Sequence, residues 1–119
     1  MKWKKAPEEL VAFLTDAVKD IDCEYRSMFG YPAYFINGNM FLGAFQDLLF
    51  LRLSENDRER IIKLQPDVKP FEPMPGRVMK EYVVLPVSLY TTEESFHEWL
   101  QKSVRYTSSL PLKKKIIPK

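Results

Sequence analysis

Residues 33–53 read AYFINGNMFLGAFQDLLFLRL, and this stretch decides the fold. Three apolar runs are separated by two short turn signals. Asn37-Gly38 makes a two-residue hairpin turn, because both residues tolerate positive φ. Gln46-Asp47 turns the chain again. The runs predict strands over about Ala33–Ile36, Asn39–Phe45 and Leu48–Leu53, and turns this tight impose antiparallel pairing. Just upstream, Glu24 to Phe29 reads as another strand, broken at Gly30. Together the four make a meander.

Helices flank it. Leu10, Phe13, Leu14, Ala17, Val18 and Ile21 recur at three- and four-residue spacing, one apolar stripe on a helix from about Pro7 to Ile21. Glu8 and Glu9 suit the positive end of its dipole. After the meander, Ser54 caps a short helix over Glu55–Leu64 that offers Ile61, Ile62 and Leu64 to the core. Pro66, Pro70, Pro73 and Pro75 then predict a stiff loop ending at Gly76. A fifth strand follows over Val78–Leu85, closed by Pro86. Thr92 caps a last helix whose stripe is Phe96, Trp99, Leu100 and Val104. The expected fold is α+β, a two-layer sandwich with a mostly antiparallel sheet of about five strands and helices on one face, in the order α-β-β-β-β-α-β-α. The expected domain is residues 1–106, followed by a basic tail, 107–119. The strands are apolar on both faces: Tyr34 and Ile36 oppose Ala33 and Phe35, and Met40 and Leu42 oppose Phe41 and Phe45. One face packs on the helices. The other needs a cover, for which a second subunit, a ligand or the terminal segments are the candidates.

The whole chain has 119 residues, 45% of them hydrophobic. That suffices for one domain with a real core and argues against disorder. No signal peptide or membrane-spanning stretch is expected, so the predicted location is cytoplasmic. The net charge is +2, but it is unevenly spread. Setting aside the seven lysines at the two ends leaves 11 basic against 16 acidic residues, a net of −5. A nucleic-acid binder usually carries a basic face on its folded body. Any such contact would therefore fall to the tails, above all Lys113, Lys114 and Lys115.

Reactive groups are few. His97 is the single histidine and Cys23 the single cysteine, so neither a nucleophile–imidazole pair nor a cysteine-built zinc site is expected. Asp22 and Glu24 beside Cys23 should raise its pKa and keep it an inert thiol. Asp20, Asp22 and Glu24 alternate as in half a calcium loop, yet the glycine and the distal glutamate of such a loop are missing. No glycine-rich phosphate cradle occurs. No cofactor or metal is expected. One constellation is left: Arg52, Arg77 and Lys80 would converge on an anion if their strands are neighbours, with Tyr34 or Tyr82 stacking beside them. The competing reading pairs Arg52 with Glu81 across the sheet.

Met28-Phe29-Gly30, Asn37-Gly38-Asn39-Met40-Phe41, Leu51-Arg52-Leu53, Pro70-Phe71, Met79 to Tyr82, Leu85-Pro86 and Trp99 follow one another in an order that resembles the TfoX N-terminal domain family, also called TfoX/Sxy. The likeness covers about Leu10 to Val104. It implies a two-layer α/β sandwich with an antiparallel sheet, and a regulatory role, since full-length members regulate bacterial competence genes and carry a second, helical C-terminal domain. At this length the chain is expected to be a stand-alone N-terminal domain. A more distant likeness is to the YjbR-like domains, two-layer folds linked to DNA binding. The resemblance brings no catalytic residue. The leading expectation is a non-enzymatic interaction or regulatory module that works through a protein partner or as a homodimer, with transcriptional regulation as its setting. The alternatives are a nucleic-acid accessory using the basic termini and a small-anion binder around Arg52, Arg77 and Lys80.

Overall fold

The computed structural model describes residues 6–28, 30–85 and 93–111. The chain runs α1 (Glu8–Ala17), β1 (Glu24–Met28), β2 (Tyr31–Ile36), β3 (Asn39–Phe45), β4 (Leu48–Arg52), α2 (Glu55–Leu64), β5 (Lys69–Met74), β6 (Arg77–Leu85) and α3 (Glu93–Ser109). All strands join one antiparallel sheet in the order β1-β2-β3-β4-β6-β5. The α+β class, the meander and the order of elements are as the sequence indicates. Asn37 and Gly38 both have positive φ, 53° and 77°, as a primed hairpin turn requires.

The sheet has six strands rather than five. The predicted proline loop is itself a strand, because β5 lies at the sheet edge, where a residue without an N–H is tolerated. Pro75-Gly76 joins it to β6, and Gly76 at φ +82° takes the position of a type II turn that favours glycine. The first helix is shorter than its stripe: it ends at Ala17, with Val18 as C-cap. In α2 the Ser54 hydroxyl accepts from Asp57 N at 3.3 Å, as a cap should. Only Ile61 is buried there, while Ile62 and Leu64 stand exposed. The Thr92 cap, Pro86 and Lys113–Lys115 lie outside the described residues.

The helix side of the sheet holds the main core. Leu10 and Leu14 of α1, Val18 at its C-cap, Ile61 of α2, and Phe96, Trp99 and Leu100 of α3 close over Tyr34, Ile36, Phe41, Leu42, Leu49, Leu51, Val83 and Leu85. The stripe of α3 continues through two polar residues, Ser103 and Thr107, both fully buried. The other side has its own cluster of Ala33, Met40, Phe50, Phe71 and Tyr82. Phe71 stacks on Phe50 at 4.6 Å and 10°, and meets Phe45 edge-on at 5.6 Å. Phe45 and Phe71 belong to strands three positions apart, ~14 Å in a flat sheet. The sheet therefore curls toward this side, and β5 brings its aromatic ring over its neighbours. The residues of this buried cluster all come from strands.

A β-bulge divides the two faces. Tyr34 lies opposite Leu42 but Phe35 opposite Met40, so Phe41 is an extra residue. Strict alternation would send Phe41 and Leu42 to opposite faces. The bulge sends both to the helix side and Met40 to the other. Gly43 faces the Phe50 ring. A Cβ there would lie 2.6 Å from Phe50 Cζ and 3.0 Å from the Pro32 carbonyl oxygen. The ring is fully buried against Phe71 and has nowhere to go. Gly43→Ala should therefore cost about 1–3 kcal/mol in denaturant unfolding, the range of an overpacked core. Combined with Phe50→Leu it should cost less than the sum of the two single changes, because both act on one contact.

Candidate functional site

The densest polar arrangement lies where β4 ends and β6 passes beside it. Arg52 and Tyr82 are register partners. The Arg52 guanidinium lies 5.3 Å from the Tyr82 ring centre. Its Nε donates to Glu81 Oε1 at 2.7 Å, and Nη2 forms an ion pair with the same carboxylate. The Tyr106 hydroxyl donates to Glu81 Oε2 at 2.8 Å, so one carboxylate joins the sheet to α3. Arg58 Nη1 donates to the Leu53 carbonyl at 2.6 Å.

The bulge in β3 feeds this cluster. The Met40 carbonyl accepts from the Tyr82 hydroxyl at 2.9 Å and from Arg52 Nη1 at 3.4 Å. The Phe41 carbonyl accepts from the Ser103 hydroxyl at 3.4 Å. Asn39 Nδ2 donates to the Pro111 carbonyl at 3.0 Å. Backbone oxygens beside an irregular ladder are thus met by side chains from β4, β6 and α3, as buried carbonyls require.

The titration of these groups reflects the same contacts. Burial alone would raise the Glu81 carboxyl, but the hydrogen bonds from Tyr106 and Arg52, with the charges of Arg52 and Arg58, outweigh it and hold it below the ordinary value. Burial pushes the Tyr82 hydroxyl up to about 12, against the pull of Arg52. Burial and the bond to Glu81 also raise Tyr106.

Of the residues singled out in the sequence, Arg52 and Tyr82 meet, and the meeting is the cross-sheet pairing with Glu81. Lys80 is exposed on a shallow cleft of about 200 Å³ shared with Glu55, Arg58 and Glu59. Arg77 is exposed beside the hairpin turn, opposite Met74. Tyr34 packs in the helix-side core and Tyr82 in the opposite cluster, so they do not flank a common cation. His97 is exposed on α3. Cys23 is half-buried against the core, and burial together with Asp22 raises its thiol. Among the described residues no group of three His, Cys, Asp or Glu side chains is placed to hold a metal. None of the helices there is long and apolar enough to cross a membrane.

Tyr106, Ser103 and Asn39 were not found from sequence. Extending the spacing Phe96, Trp99, Leu100 by three and four residues lands on Ser103 and Thr107. Of these, the Ser103 hydroxyl meets the Phe41 carbonyl, whereas Thr107 Oγ1 is buried without a hydrogen-bond partner among the described residues.

Fold and site together define a two-layer α+β domain whose main polar cluster binds the parts of the domain to one another. The model of the TfoX N-terminal domain family matches residues 16–106, most of the chain, and the chain belongs to that family. No curated protein and no solved structure matches it.

Two pH limits follow. Free Glu81 in the unfolded chain titrates near 4.5 and the folded carboxyl lower, so its contribution is complete above that value and is lost as pH falls through the folded one. Denaturant stability should hold steady from neutral pH down to about 5, then fall, and Glu81→Gln should flatten part of that acid limb. Tyr106→Phe should cost about 1 kcal/mol at neutral pH, one neutral donor's share. For Tyr82 the folded pKa is raised from 10 to about 12. Its contribution is complete below 10 and is lost as pH rises toward 12, at most about 3 kcal/mol. Tyr82→Phe should remove that part of the alkaline loss while lowering stability at neutral pH, since the Met40 carbonyl loses its donor.

Proposed function

We propose that the chain is a non-enzymatic interaction module, regulatory in kind, that works through contacts with another protein in the setting of transcriptional control. The observation that carries this reading is the bonding of Arg52, Glu81, Tyr82 and Tyr106 to one another and to the Met40 carbonyl. An anion binder would need the Arg52 charge available, and Glu81 already answers it. Membership of the TfoX N-terminal domain family, which is not a known enzyme family, supports the same reading.

The surface adds a place for such contacts. Met74 and Val78 flank the Pro75-Gly76 turn and are 61% and 51% exposed. Apolar side chains at the tip of a stiff hairpin, next to the cations Arg77 and Lys80, suit a partner with an apolar and acidic patch. Met74→Glu together with Val78→Glu should lower capture of a partner from a cell extract at least about tenfold, a loss of ~1.4 kcal/mol. Far-UV circular dichroism and melting temperature should stay at wild-type values. Turnover of a small molecule that disappears in Arg52→Ala would overturn the reading.

A further inference from the structure

The two edges of the sheet differ in kind. β5 carries Pro70 and Pro73, which have no N–H to offer, and its register against β6 shifts twice. Prolines and bulges are the devices by which sheets keep an edge from pairing with another chain. β1, at the opposite edge, has neither. Its five residues pair with β2 in unbroken register, from Glu24 opposite Phe35 to Met28 opposite Tyr31. Among the described residues no strand pairs with its outer side.

The residues of β1 also state what fits there. Glu24 and Arg26 are two apart and so share a face. That face is the one opposite the helices, since Arg26 lies 5.0 Å over the Phe35 ring. Within one chain they pair at 2.8 Å. Tyr25 between them points to the other face, is 59% exposed and meets Tyr34 edge-on at 5.6 Å. Glu-Tyr-Arg is self-complementary in an antiparallel pair. With a twofold axis at Tyr25, Glu24 stands opposite Arg26 of the partner subunit, Arg26 opposite the partner's Glu24, and the two tyrosines stand opposite each other. Two like charges at positions 24 and 26 would forbid this pairing, and a peptide of unrelated sequence would not match it twice.

We propose that β1 docks on β1 of a second copy of this chain, antiparallel and centred on Tyr25, so that two six-stranded sheets become one. This names one partner for the module proposed above and rests on that reading. A five-residue strand pair lies at the small end of specific interfaces, so the dimer is weak and concentration-dependent.

Sedimentation velocity on the full chain, from about 1 µM to about 1 mM to bracket a small interface, should show monomer passing to dimer. Arg26→Glu and Glu24→Arg should each remain monomeric throughout that range with unchanged circular dichroism. Mixed in equal amounts they should dimerise, because one then presents two acids and the other two bases. The double exchange Glu24→Arg with Arg26→Glu should dimerise like the wild type. A wild-type chain that stays monomeric, single variants that dimerise unchanged, or a mixture and a double exchange that both fail would each overturn the proposal. A strictly monomeric wild type whose hairpin tip still captures a partner would remove self-pairing alone, and so separates this failure from that of the interaction reading.

Discussion

The sheet carries bulky apolar side chains on both faces, and the described helices pack on one of them, so the second face is packed by the strands' own side chains. That constraint accounts for most of the fold's irregularities. The curl brings Phe71 over Phe50. Gly43 leaves room for the Phe50 ring. The bulge at Phe41 shares three consecutive large residues between the faces, two to the helix side and one to the other. A regular ladder would have turned Phe41 or Leu42 out of the main core.

The polar cluster follows from the same irregularity. A bulge disturbs the ladder, and the carbonyls of Met40 and Phe41 need donors. Tyr82, Arg52 and Ser103 supply them. Arg52 then needs a counter-charge so close to an apolar cluster, and Glu81 provides it. Tyr106 completes the set from α3. The charged residues nearest the core thus answer backbone geometry.

Much of this was legible in the sequence, and the rest had physical reasons not to be. The hairpins at Asn37-Gly38 and Gln46-Asp47, the Ser54 cap and the Arg52–Glu81 pair could be read because each depends on residues near in sequence or on a familiar cross-strand preference. The strand β5 was hidden because four prolines in ten residues weigh toward a loop, and only an edge position reverses that weight. The bulge was hidden because it is a property of two strands together, and alternation within one strand is silent about it. The roles of Ser103 and Tyr106 were hidden for the same reason, since the oxygens they meet lie far away in the chain. The reading of Arg52, Arg77 and Lys80 as one cluster treated three positions on adjoining strands as one place, whereas Arg77 and Lys80 lie on the surface and Arg52 is committed to Glu81.

The bonds that α3 and the residues after it make to the start of β3 have a consequence for biosynthesis. The Ser103 hydroxyl donates to the Phe41 carbonyl across 62 residues, and Asn39 Nδ2 donates to the Pro111 carbonyl across 72. On the ribosome, the meander is therefore translated well before these partners exist. The start of β3 must wait, with the Phe41 carbonyl and the Asn39 amide in water, until the chain through Pro111 has left the exit tunnel. Vectorial synthesis thus makes α3 a clasp fastened after the sheet it closes.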